Sequence, residues 1–126
     1  MEERKLNIMV IDDENIVGKR LKPALEKSGD IVETFEDAKK ALERFNEKPF
    51  DIVVTDIRMD EVDGIEVLEH VLAHSDKTKV IIITGYATVE VAREALAKGA
   101  FDFIAKPFKP NDLRVVIERA AKQLKN

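Results

Sequence analysis

Asp12, Asp13, Asp56, Thr84 and Lys106 form the most reactive set of side chains in this sequence. Each ends, or directly follows, a short apolar run. Asp12-Asp13 closes Ile8-Met9-Val10-Ile11, Asp56 closes Ile52-Val53-Val54-Thr55, and Thr84 closes Val80-Ile81-Ile82-Ile83. Lys106 follows Phe103-Ile104-Ala105. Such runs read as buried β-strands. If the strands are parallel neighbours, all five side chains meet at one edge of one sheet. Three carboxylates, a hydroxyl and an ammonium meeting there suit a divalent metal and a phosphoryl group.

Carboxylates so close repel one another, by on the order of 4 kcal/mol for a unit pair at about 4 Å in an effective dielectric of ~20. Lys106 offsets part of this, and a hard cation resolves the rest. Magnesium, or manganese in its place, takes oxygen ligands, keeps several waters and accepts one or two carboxylates plus a phosphate oxygen. Asp13 and Asp56 suit direct ligation, with Asp12 acting through water. No His or Cys lies in the set, which disfavours zinc and copper. A carboxylate is also a nucleophile toward phosphorus. Asp56 is the best candidate, being central and followed by a loop from Arg58 to Gly64. Phosphoryl transfer asks mainly for charge neutralisation, which the metal, Lys106 and the Thr84 hydroxyl would supply. Taken singly, an aspartate after a strand can simply cap a helix. Four strand ends carrying this complement together favour the functional reading.

Strand and helix patterns alternate along the chain around these residues. Strands are expected at Leu6–Ile11, Ile31–Phe35, Phe50–Thr55, Val80–Thr84 and Phe101–Ala105. Between them lie helical patterns at Asn15–Lys27, Asp37–Asn46, Gly64–Ala73 and Thr88–Lys98, and a last helix starts at Pro110. The first helix carries Ile16, Val17, Leu21, Ala24 and Leu25 on one side, with Asn15 as its N-cap and Ser28-Gly29 as its stop. Pro23 inside it predicts a kink near Lys19. Alternating strands and helices imply an α/β fold with a parallel sheet covered on both faces, two helices on one and three on the other. Ligands bind outside the carboxyl ends of such strands, where strand order reverses. For Asp12-Asp13 and Asp56 to be adjacent, strands one and three must be neighbours. That gives the flavodoxin-like order 2-1-3-4-5.

The 126 residues suit one domain spanning the whole chain. With 44% apolar and 37% charged residues, the balance is that of a globular protein. A formal charge of -4 argues against a dedicated nucleic-acid surface. The absence of cysteine removes disulfides and thiolate metal sites. No apolar run approaches the roughly 18 residues of a membrane helix, so a cytoplasmic protein without membrane contact is expected.

Joined together, the motifs resemble one family. Val10-Ile11-Asp12-Asp13-Glu14, Thr55-Asp56-Ile57-Arg58-Met59 with Asp63-Gly64, Ile83-Thr84-Gly85, and Phe103-Ile104-Ala105-Lys106-Pro107-Phe108 resemble the receiver domain of bacterial two-component response regulators. The stretch Ile83–Phe108 is especially similar to receivers of the nitrogen-regulation class of transcriptional activators. The resemblance implies that Asp56 accepts a phosphoryl group from the phosphohistidine of a sensor histidine kinase. It implies magnesium held by Asp13, Asp56 and the Arg58 backbone carbonyl, with Asp12 acting through water. Lys106 would bind the phosphoryl group and precede a cis bond to Pro107. Thr84 would be the switch hydroxyl, Phe103 the aromatic that turns inward with it, and Gly85 the small residue that leaves access. Phosphorylation would remodel the face formed by the fourth helix, fifth strand and fifth helix, for homodimerisation or for binding a downstream output domain or protein. Asp60 stands where the family usually has proline, which bears on the loop and on metal affinity. Arg58 and Tyr86, two residues beyond Asp56 and Thr84, are placed to tune the acyl phosphate's lifetime.

Two competing readings differ in class. A magnesium-dependent phosphatase would want an acid two residues beyond the nucleophile to protonate the leaving group, and Arg58 stands there. A phosphorylation-independent interaction module would not need the site residues. His70 and His74 share a helix face but lack a third ligand. Lys122 and Lys125 suit the negative end of the last helix. Neither pair is given a functional role.

Overall fold

A computed structural model describes residues 5–57, 63–85 and 89–124. Ten elements alternate: β1 (Asn7–Ile11), α1 (Asn15–Glu26), β2 (Ile31–Phe35), α2 (Ala38–Glu47), β3 (Ile52–Asp56), α3 (Gly64–His74), β4 (Lys79–Thr84), α4 (Val89–Ala97), β5 (Asp102–Ala105) and α5 (Pro110–Leu124). All strand pairs are parallel, in the order β2-β1-β3-β4-β5. The register sets Ile11 beside Thr55, Asp56 beside Ile83 and Thr84 beside Ala105. Asp12, Asp56, Thr84 and Lys106 therefore leave the sheet along the same edge, as the spacing predicts.

Successive side chains of each strand enter opposite layers. Ile8, Val10, Ile52, Val54, Ile81 and Ile83 pack with Leu21 and Leu25 of α1 and Leu113 and Ile117 of α5. Met9, Ile11, Val53 and Ile82 pack with Phe45 of α2, Leu68 of α3 and Ala95 of α4. Two helices thus cover one face and three the other. Burial on both faces is why the central strands are unbroken apolar runs rather than alternating ones.

Helix ends follow local chemistry. The Asp37 side chain opens α2 by accepting the Lys39 N–H at 2.8 Å. Asp63 opens α3 in a capping box with Glu66. Gly29 and Gly99 take φ of 92° and 105° beyond α1 and α4, where a side chain would be strained. At α1 the expectation is off by one residue. Asn15 is the first helical residue, and the N-cap is Glu14, whose side chain makes no capping hydrogen bond. The helix runs unbroken through Pro23. Ile16, expected on the apolar side of α1, is 60% exposed.

Candidate functional site

Asp12 and Asp56 are 2% and 5% exposed, and Thr84 is fully buried, whereas Asp13 is exposed. One carboxylate oxygen from each of Asp12, Asp13 and Asp56 lies within 4.8 Å of the others. Lys106 reaches into this group. Its Nζ donates to Asp56 Oδ2 at 2.7 Å and to Glu14 Oε1 at 2.9 Å. It also forms an ion pair with Asp12 Oδ2 at 2.7 Å, in an orientation short of a hydrogen bond. Backbone bonds hold both partners: Asp12 Oδ1 accepts the Glu14 N–H at 2.9 Å, and the Lys106 N–H donates to the Thr84 carbonyl at 2.8 Å. The Lys106–Pro107 bond is cis, as the resemblance implies.

The electrostatics follow from burial. Burial pushes the Asp12 carboxyl above its ordinary pKa, and the neighbouring Asp56 charge adds to this. Lys106 and the Glu14 N–H pull the other way without restoring it. For Lys106, burial alone would lower the pKa, but the contacts to Asp12, Asp56 and Glu14 outweigh it and hold the group above the ordinary lysine value. The ammonium is a permanent charge at any physiological pH. One ammonium facing the carboxylates of Asp12, Asp13, Glu14 and Asp56 leaves excess negative charge. All-oxygen donors with that excess fit a hard divalent cation such as magnesium.

The other expected site residues are placed as follows. Gly85 is exposed beyond β4, and a Cβ there would meet nothing within 4 Å. Phe103 is half-buried against the layer formed with α2, α3 and α4. Pro107 lies on the rim of a groove of about 380 Å³ whose lining also includes Glu14, Ile16, Arg20, Leu21 and Phe108. Arg58, Asp60 and Tyr86 lie outside the described residues, so the Arg58 carbonyl, the Asp60 substitution and both lifetime positions have no structural account. Glu14 is the residue to which sequence reasoning gave no role. The signal available was a glutamate at a helix-start position where Ser, Thr, Asp or Asn is preferred.

Away from this edge, the His70 and His74 rings stack at 4.2 Å. His70 Nε2 lies 3.1 Å from Asn46 Oδ1, and His74 Nδ1 donates to the His70 carbonyl at 2.8 Å. No third metal-binding side chain joins them among the described residues. No helix among the described residues is long and apolar enough to cross a membrane.

Comparison with known proteins agrees with this geometry. The chain is 40% identical over 113 residues to the regulatory protein AtoC of Escherichia coli K12, covering 90% of this chain and 24% of that protein. It is 32% identical over 117 residues to the DNA-binding transcriptional regulator NtrC of Proteus hauseri, covering 93% and 25%. It therefore spans about a quarter of the length of these two relatives. Both suit the likeness to receivers of nitrogen-regulation-class activators. Among solved structures, a receiver domain from Clostridium thermocellum superposes with a TM-score of 0.89 at 32% identity, covering 95% of this chain and 97% of that one. The beryllofluoride-activated NtrC4 receiver domain dimer superposes with a TM-score of 0.88 at 30% identity, covering 94% and 98%. The family model "Response regulator receiver domain" matches residues 8–118. With its parallel five-stranded sheet and its acidic edge, this chain belongs to the response regulator receiver domain family.

Proposed function

We propose that the chain acts as one receiver domain whose Asp56 accepts a phosphoryl group from a sensor histidine kinase, in a magnesium-dependent reaction. The observation that carries this reading is the position of Asp56, at the end of the central strand β3, with Lys106 at 2.7 Å and Asp12 and Asp13 beside it. An Asp56 carboxylate oxygen attacks phosphorus. The bond from phosphorus to the donor's imidazole nitrogen breaks, its electron pair leaves with the imidazole, and an aspartyl phosphate remains. Asp12, Asp13, Asp56 and the Arg58 carbonyl would hold magnesium, which neutralises charge on the transferring group. Lys106 binds a phosphoryl oxygen, and Gly85 keeps the approach open. The donor protein must reach the edge where the groove beside Pro107 and Phe108 lies. Arg58 and Tyr86 would set how long the acyl phosphate survives hydrolysis.

The Thr84 hydroxyl and Phe103 would then report the modification by moving together, biasing the protein between two states. The face formed by α4, β5 and α5 is suited to be the readout. It presents Leu96 and Val115, 47% and 53% exposed, beside an ion pair between Arg119 and Asp102. The activated NtrC4 receiver, described as a dimer, supports dimerisation as one output. A downstream output domain or protein is the other. Neither output requires direct nucleic-acid contact by this domain. The role is that of a signalling phosphoacceptor in the cytoplasm rather than an enzyme with turnover.

Acetyl phosphate with magnesium should raise the molar mass seen by light scattering from monomer toward dimer, and Leu96→Asp or Val115→Asp should prevent the rise without preventing the adduct. A fully phosphorylated sample that stays monomeric would remove dimerisation from the proposal. Chelation by EDTA should stop adduct formation, and added magnesium should restore it. Undiminished formation in EDTA would contradict the metal's role.

A further inference from the structure

We propose that Glu14 is a positioning residue, a latch that occupies one N–H donor of Lys106 until a phosphoryl oxygen displaces it. The inference rests on Asp56 being the phosphoacceptor. A lysine ammonium has three N–H donors. Here two of them are taken in hydrogen bonds, by Asp56 and Glu14, and Asp12 stands beside the ammonium as an ion pair. A phosphoryl oxygen arriving from the exposed side meets the donor that Glu14 holds and must displace that carboxylate.

The partners differ in how easily they leave. The Asp12 and Asp56 side chains are 1% and 7% exposed, at the ends of central strands. The Glu14 side chain is 61% exposed, and an ion pair so wet is weak and readily exchanged. Its backbone is pinned, because the Glu14 N–H is bonded to Asp12 Oδ1. The carboxylate can therefore swing aside without moving α1.

The position of Glu14 gives a second, independent reason. It is the N-cap of α1, a place where a short polar side chain stabilises the helix by accepting an N–H from the first turn. Glutamate forgoes that bond and reaches Lys106, 92 residues away. Glu14 also lines the groove beside Ile16 and Arg20, so a molecule seated there would touch the latch. The carboxylate holds the lysine in place for the phosphoryl group and excludes other anions from it.

The test uses the rate of Asp56 phosphorylation against acetyl phosphate concentration, at saturating magnesium, for the wild type, Glu14→Gln and Glu14→Asp. In this reaction the oxygen–phosphorus bond to acetate breaks, and acetate leaves with the electron pair. Glutamine removes the charge. Aspartate keeps the charge, is one methylene too short for Lys106, and is a favoured cap. Both variants should raise kcat/KM by about two- to fivefold, mainly through a lower KM, the range an exposed ion pair supports. Only Glu14→Asp should also raise Tm, so rates that move together while stabilities diverge exclude a merely structural effect. Unchanged rates in both variants, or a fall in either, would overturn the latch. Acceleration by glutamine alone would overturn it too, since charge without contact would then be the cause. A wild type that forms no adduct would bring down the phosphoacceptor reading itself, and the latch with it, an outcome distinct from all the others.

Discussion

Gly64→Ala should cost the fold at least ~3 kcal/mol, enough to lower Tm by about 10 °C in a domain of this size. A Cβ on Gly64 would stand 2.2 Å from the Asp56 carbonyl oxygen and 2.7 Å from the Ile57 Cα. These are backbone atoms, so no side chain can rotate away. Two constraints hold them: β3 pairs on both sides, and the Gly64 N–H donates to the Ile57 carbonyl at 2.8 Å. Relief requires moving either the start of α3 or the end of β3, which carries Asp56. Urea unfolding should show the loss, and any folded Gly64→Ala protein should also accept a phosphoryl group more slowly. Gly85→Ala is the control, because its Cβ meets nothing within 4 Å. Its unfolding free energy should stay within ~1 kcal/mol of wild type. Equal stability of Gly64→Ala and Gly85→Ala would show that α3 does not pack on β3 as described.

Lys106→Met should destabilise the protein without magnesium by roughly 2–4 kcal/mol, and magnesium should recover more of the variant's stability than of the wild type's. Methionine keeps the length of the apolar stem and removes only the ammonium. Asp12 and Asp56 would then face each other with no cation, and leaving a buried charge uncompensated is the costly half of breaking an ion pair. Burial already raises the Asp12 pKa despite Lys106, so little compensation is held in reserve. A cation binding among the same carboxylates supplies the missing counter-charge, and its stabilisation grows with its affinity for the folded state. Unfolding curves with and without millimolar magnesium measure both effects. A variant as stable as wild type without metal would show that the ammonium is not the counter-charge of this site.

Most of what positions the site can be read from local composition. Buried parallel strands must be apolar throughout, so Ile8–Ile11, Ile52–Thr55 and Val80–Ile83 declare themselves, and the first polar residue after each marks the functional edge. The strand order follows because Asp12 and Asp56 can meet only if β1 and β3 pair, as they do. The features that escaped depend on partners distant in the chain. Glu14 looks like the continuation of an acidic motif until Lys106 is brought to it from 92 residues away. Ile16 fits the apolar period of α1 yet is exposed, because the helix start overhangs the groove beside Pro107 and Phe108 instead of packing on the sheet. Asn15 is a good cap by type. The cap falls one residue earlier, at Glu14, which has an extended backbone and whose N–H is taken by the Asp12 side chain.

Receipt of the phosphoryl group by Asp56 is open to direct measurement. Intact-mass spectrometry of the protein incubated with acetyl phosphate and magnesium, run beside Asp56→Asn, tests it most directly. A single phosphoryl adduct is expected on the wild type, mapped to the peptide containing Asp56, and none on Asp56→Asn. An adduct that persists on Asp56→Asn at wild-type levels, or no adduct on the folded, magnesium-loaded wild type, would contradict it.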